Sequence, residues 1–234
     1  MKQEIIQTNS IDKELSDYLS RQSYDGLYIL MDKNTEELCY RRIEAIPELK
    51  QAKRLAIQAG DENKNLSAIE SVWEFLSVNE ATRKSLLINL GGGMLTDLGG
   101  FAAATFKRGI RFVNISTTLL GAVDAAVGGK TGINFNGLKN EIGSFTPAEA
   151  VFIDSEFFRT LDQTNLLSGY AEMLKHGLIS NETHWAELLH FDVDAVDYDY
   201  LRQLVGQSVA VKEEIVAQDP FERGIRKALN LDRK

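Results

Sequence analysis

The sequence predicts an α/β fold, a largely parallel sheet followed by an all-helical part, and three observations carry that prediction. Short apolar runs of strand length alternate with stretches of helical period through about residue 161. A glycine triplet, Gly91 to Gly93, lies between a strand candidate and a helix candidate. From about residue 162 the strand signals vanish and only helical periodicity remains.

In chain order, "GLYILMD" (26–32) reads as a buried strand running into a loop, with a helix to follow. "RLAIQAG" (54–60) is a short apolar run ending in a glycine turn, and "NLSAIESVWEFLSVN" (65–79) has apolar residues at helical spacing. "SLLINL" (85–90), the glycines and "MLTDLGGFAAATF" (94–106) repeat the strand, turn, helix order. "RFVNIS" (111–116) and "AVFID" (150–154) are the remaining strand candidates. After them, "NLLSGYAEMLKHGL", "THWAELLH" and "YLRQLVGQSVAVKEEIVAQ" each carry the helical period. The change of period divides the chain into an α/β unit, 1–161, and a helical unit, 162–234.

Composition narrows the function. The chain has 234 residues, 44% of them hydrophobic, enough for a real core. A net charge of -8 argues against a nucleic-acid partner, whose phosphates require Lys and Arg. The single cysteine, Cys39, excludes an internal disulfide and suits a reducing, cytoplasmic location. No secretory signal opens the chain and no run is long enough to cross a bilayer, so a soluble protein without a membrane partner is expected.

Three stretches carry chemistry. The turn "INLGGGMLTDLGG" offers backbone N–H groups and a helix N-terminus to an anion, but it is not G-x-G-x-x-G; alone it leaves nucleotide binding and a plain tight turn evenly matched. The stretch 116–145 sets Thr117, Thr118, Asp124, Lys130, Lys139 and Asn140 among small and apolar residues, which favours a lined polar site over surface decoration. "SGYAEMLKHGLIS" (168–180) puts Glu172, Lys175 and His176 on one helix face. A divalent metal with a vacancy for substrate usually needs three protein ligands, and this helix offers at most two.

At these residues the sequence resembles the dehydroquinate synthases, members of the sugar-phosphate cyclases. "GGGMLTDLGGF", "STTLLGAVDAAVGGKTGIN", "LKNEIGSF", "SGYAEMLKHGLI" and "DPFERGIRKALN" occur in that family's order and extend the resemblance from about residue 25 to residue 230. The resemblance implies a Rossmann-like N-terminal domain binding NAD, a helical C-terminal domain holding zinc or possibly cobalt, and a homodimer when complete. By motif it implies adenosine-side cofactor contacts from Asp32, Asp61 and Lys64. It places Gly92, Gly93 and Asp97 at the pyrophosphate turn, and further cofactor contacts at Thr117, Thr118, Phe157 and Thr160. Asp124 and Lys130 would face nicotinamide and substrate, with Lys139 serving cofactor and substrate alike. Arg108, Lys130, Lys139, Asn140, Lys175, Lys212 and Arg226, with Asn230 nearby, would hold the phosphate and carboxylate of a phosphorylated sugar acid.

The implied reaction is the cyclisation of 3-deoxy-D-arabino-heptulosonate 7-phosphate to 3-dehydroquinate, with phosphate released, in aromatic amino-acid biosynthesis. NAD transiently oxidises a ring hydroxyl, phosphate leaves by elimination, the hydride returns, the ring opens, and an intramolecular aldol closes the carbocycle. Glu172 would be the metal's carboxylate ligand, His176 would serve packing or support, and His184 and His190 would be core or surface residues. The family motif continues past "ALN" into two histidine ligands, whereas this sequence reads "ALNLDRK", with Arg233 at the first. The expectation is therefore a partial helical domain, inactive alone. Another sugar-phosphate cyclase and a non-catalytic NAD-binding fragment are the alternatives. A glycerol dehydrogenase type would share the two-domain plan but not need the phosphate-binding cations.

Overall fold

The structure is a computed structural model and describes residues 3–230. The chain runs through β1 (Glu4–Thr8), α1 (Ile11–Ser20), β2 (Leu27–Asp32), α2 (Lys33–Leu38), β3 (Lys53–Ile57), α3 (Leu66–Val78), β4 (Leu86–Gly91), α4 (Gly93–Thr105) and β5 (Arg111–Ser116). A π-helical turn at Gly121–Ala125 follows, then β6 (Lys130–Phe135), β7 (Leu138–Phe145) and β8 (Ala150–Asp154). Three helices complete the described chain: α5 (Gln163–Ser180), α6 (Glu182–Leu189) and α7 (Tyr198–Gln218). Two 3-10 segments, Ser155–Thr160 and Ile225–Asn230, flank them.

Six strands form one sheet in the order β1-β8-β5-β4-β2-β3, and every neighbouring pair is parallel. The inner strands are buried at every residue in β2, β4 and β8, which explains their continuous apolar runs. From β2 the chain moves outward to β3, then crosses to the other side of β2 to make β4. The direction of winding therefore reverses between β2 and β4. In open parallel sheets that reversal opens a crevice at the strands' carboxyl ends, where ligands bind. This is a Rossmann-like sheet.

Helix α4 lies close on the sheet because Gly99 faces it: a Cβ there would stand 2.1 Å from Asn89 Oδ1 on β4. The helical part starts with capped ends. Asp162 accepts from Asn165 N at 2.8 Å and Asn181 from His184 N at 2.9 Å. Its buried Leu166, Met173, Leu188, Leu201, Leu204 and Val205 join the same core as the sheet. Gly169 lets α5 meet the segment before the π-helical turn, since a Cβ there would stand 2.5 Å from Leu119 Cγ.

The structure contains elements the sequence pattern did not announce. β1 and α1 precede the first expected strand, and β6 with β7 form an antiparallel hairpin inside the polar stretch 116–145. Among the described residues no helix is long and apolar enough to cross a membrane.

Candidate active-site cleft

The turns that follow the parallel strands gather the expected cofactor residues at one edge of the sheet. Asp32 ends β2 and is buried; its Oδ1 caps α2 by accepting from Thr35 N at 2.9 Å, while Thr35 Oγ1 accepts from Asp32 N at 3.0 Å. After β4, Gly92 and Gly93 open α4. A Cβ on Gly92 would come 2.7 Å from Thr118 Cγ2, and one on Gly93 would come 2.8 Å from Ala125 Cβ. Only glycine leaves this turn free for close approach by a phosphate. After β5, buried Thr117 donates its N–H to Gly91 O at 3.1 Å, and Thr118 Oγ1 accepts from Gly121 N at 3.0 Å. After β8, Phe157 is fully buried beneath the Arg42 guanidinium, and Thr160 Oγ1 donates to Phe157 O at 2.7 Å.

Lys64 ties this edge to the hairpin. The buried ammonium donates to Asp97 Oδ2 at 3.0 Å and to Asn140 Oδ1. Lys139 pairs with Asp61 Oδ2 at 2.9 Å, and Asn134 N donates to Lys64 O at 2.7 Å. Burial works to raise the Asp61 carboxyl, but the Lys139 hydrogen bond and the Lys64 charge outweigh it and leave it below the usual range. At Asp97 burial dominates and pushes the carboxyl up to about 6 despite the Lys64 ammonium.

The cations expected to hold an anionic substrate arrive from separate segments. Lys212, buried on α7, reaches the π-helical turn and donates to both the backbone and carboxylate oxygens of Asp124. A π turn displaces the residues after it relative to an α-helix, and here Asp124 sits within that turn and meets α7. Lys130 pairs with Glu222. Arg226 is buried, donating from Nη1 to Pro220 O at 2.6 Å and from Nη2 to Gly128 O at 3.0 Å; burial lowers its pKa. Asn230 donates to Glu222 Oε1.

On α5, Lys175 donates to Glu172 Oε1 and, at 2.6 Å, to Leu229 O. His176 is fully buried with Nε2 3.5 Å from the same Glu172 oxygen. His184 is buried with Nε2 3.0 Å from Ser208 Oγ, and burial lowers its pKa. His190 is exposed, with Nδ1 2.6 Å from Ala186 O. Among the described residues no group of three His, Cys, Asp or Glu side chains could hold a metal ion. The described donors thus do not fit a resident metal. Arg233 lies outside the described residues.

Two findings depart from the expected set. Arg108 sits in the turn between α4 and β5, where Lys107 and Arg108 both have left-handed φ, and that turn feeds the amino end of β5. It is exposed and precedes the amino end of β5, whereas the expected cofactor turns follow the carboxyl ends of the strands. Conversely, Glu222 was not anticipated. The only sequence signal was an acid within the motif that carries Arg226, and its partner Lys130 is far upstream.

Comparison with known proteins bears on the family and the fold. A family model for the 3-dehydroquinate synthase N-terminal region matches residues 54–168, and one for the C-terminal region matches 169–232. The chain is 59% identical over 229 residues to a 3-dehydroquinate synthase of Parabacteroides distasonis, covering 98% of this chain and 65% of that protein. It is 37% identical to a bifunctional 3-dehydroquinate synthase/phosphatase of Fusobacterium nucleatum, covering 95% of this chain and 34% of the relative. Among solved structures it matches a 2-epi-5-epi-valiolone synthase from Streptomyces hygroscopicus, solved with NAD+ and Zn2+, at a TM-score of 0.88 and 25% identity; the match covers 100% of this chain and 66% of that one. A glycerol dehydrogenase from Schizosaccharomyces pombe shares the fold at a TM-score of 0.67 and 15% identity, covering 89% and 59%. The chain spans about two thirds of the length of its Parabacteroides relative, 65%. With two models of one family matching consecutive segments from 54 to 232, the chain belongs to the 3-dehydroquinate synthase family.

Proposed function

We propose that this chain is the cofactor-binding and much of the substrate-binding part of a 3-dehydroquinate synthase, a phosphate lyase that converts 3-deoxy-D-arabino-heptulosonate 7-phosphate to 3-dehydroquinate. The observation that supports it is Lys212 on Asp124, in a turn that abuts the glycine turn at the sheet's reversal point, with Lys130, Asn230 and Arg226 gathered at the segment after α7. A phosphorylated sugar acid needs several cations; an uncharged polyol does not. Residues 1–161 form the cofactor unit in this reading, and 162–234 belong to a helical substrate unit.

The residues at the sheet edge fit NAD. Asp32 uses one carboxylate oxygen as a helix cap, and the other can meet ribose hydroxyls; the bare Gly92–Gly93 backbone can meet the pyrophosphate. NAD, when bound, supplies a reversible hydride acceptor. Asp124, held by Lys212, stands where the nicotinamide and substrate would meet. Lys130, Lys139, Asn140, Arg226 and Asn230 orient the anionic groups.

The metal does not follow from these residues. Glu172 Oε1 is engaged by Lys175, and His176, with Nε2 3.5 Å away, is one further donor among the described residues, short of the three a metal site needs. We therefore expect less than one zinc or cobalt ion per chain after dialysis and negligible phosphate release from the 234-residue chain alone. Titration with NAD tests the reading directly, because the cofactor edge needs no metal; absence of binding would overturn it. A second reading, another sugar-phosphate cyclase, is favoured by the likeness to the valiolone synthase, and comparing the affinity of the NAD-loaded chain for different sugar phosphates by calorimetry separates the two. A cytoplasmic homodimer is part of the proposal, tested by sedimentation.

A further inference from the structure

Asp219 closes α7. Its N–H donates to Ile215 O at 3.0 Å, and its side chain collects the backbone of the turn beyond: Oδ1 accepts from Arg223 N at 2.9 Å, and Oδ2 accepts from Gly224 N at 2.6 Å and Arg226 N at 3.2 Å. Charge-assisted bonds from three N–H groups to one carboxylate define a turn that has no ladder of its own. Lys212 lies two turns earlier on the same helix and is anchored on Asp124, so the helix that presents Asp219 is itself fixed against the cleft.

The turn gathered by Asp219 carries two groups that close one end of the cleft. Arg226 reaches Pro220 O and Gly128 O. Glu222 has a left-handed φ of 57° and places its carboxylate on Lys130 and on the Asn230 amide. Such a backbone conformation costs on the order of 1 kcal/mol for a residue with a Cβ and persists only where its surroundings over-determine it. The Asp219 bonds supply that constraint on one side; Phe221, stacked edge-on against Phe145 of the hairpin with centroids 5.5 Å apart, supplies it on the other.

We propose that Asp219 is a positioning residue: by holding the 220–226 backbone it sets Glu222 against Lys130 and Asn230, so the anion-binding end of the cleft carries its own counter-carboxylate, which an incoming anion must displace. This rests on the reading of the cleft as a site for a phosphorylated acid. It assigns a purpose to a carboxylate whose bonds go to backbone N–H groups, that of Arg226 among them.

The test uses the 234-residue chain and two readouts. Hydrogen exchange at the amides of Arg223, Gly224 and Arg226 should accelerate at least tenfold in Asp219→Ala and less in Asp219→Asn, which keeps one acceptor oxygen, while β4 and β5 stay unchanged. Calorimetric titration with inorganic phosphate then supplies a double-mutant cycle. Glu222→Gln should tighten phosphate several-fold when Asp219 is present and have no effect in Asp219→Ala. An Asp219 with only a structural role would leave the Glu222→Gln effect the same in both backgrounds. Equal effects, or unchanged exchange in Asp219→Ala, would overturn the proposal. Failure of phosphate to bind any variant would count against the substrate reading, and the exchange result would then decide Asp219 alone.

Discussion

The two walls of the cleft are built on different principles. The sheet edge is made of backbone: a glycine turn, a capping box at Asp32 and threonines hydrogen-bonded to neighbouring main chain. The helical wall is made of side-chain charge, with Lys212 on Asp124, Lys175 on Glu172 and Lys130 on Glu222. A site of main-chain geometry exists as soon as the sheet does. A site of paired charges exists only while each partner is present, because a buried ion left alone costs more than the pair contributes.

That contrast can be broken most easily at Lys212. Replacing it with Met removes the ammonium from Asp124 and should destabilise the chain by about 3–5 kcal/mol, read as a lower urea midpoint. An unchanged midpoint would mean the helical wall does not depend on its pairs. Next in size is the titration of Asp97. Its folded carboxyl titrates at about 6 against 3.8 for the ordinary group, so between these values the folded state holds the extra proton. Stability should therefore fall as pH rises from about 4 to about 6, by up to about 3 kcal/mol, and this group should add no slope above that. Asp97→Asn should flatten this part of the profile; an identical slope in the variant would assign the titration to another group.

On the backbone wall, Gly93→Val puts a side chain where Ala125 already stands and where, in the proposed reading, pyrophosphate approaches. NAD affinity should drop at least tenfold, about 1.4 kcal/mol. An unaltered dissociation constant would move the cofactor elsewhere. The smallest effect is expected from Lys139→Ala, since its pair with Asp61 is exposed: 77% of the Lys139 side chain is accessible. It should change stability by less than about 1 kcal/mol, and a larger loss would show that the hairpin is held by this contact.

The same division decides what was legible in the sequence. β2, β4, β5 and β8 are apolar runs bounded by polar or glycine turns, so their period and order were readable, and with them the residues on the turns that follow. The hairpin was not. "KTGINF" and "LKNEIGSF" alternate poorly, and Gly132 opposite Gly143 interrupts the cross-strand pairs, separating Thr131–Ser144 from Ile133–Ile142. β1 is too polar to announce itself, since only Ile5 and Ile6 are apolar. On the helical wall the motif match named Lys130, Lys212 and Arg226, but their partners come from segments far apart in the chain, and no local spacing links Glu222 to Lys130.

The position of β1 has a consequence for the order in which the molecule comes together. Among the described strands β1 pairs with β8 alone, Glu4 lying opposite Ala150, and β8 in turn sits between β1 and β5. The first of the described strands thus pairs with the last. Until residue 154 has been synthesised, its backbone has no partner in the register it will finally adopt, and β5 remains an open edge. Closing that long loop is a late, entropically costly event. A nascent chain halted before β8 should therefore expose Glu4–Thr8 to protease, and one halted well beyond it should shield them.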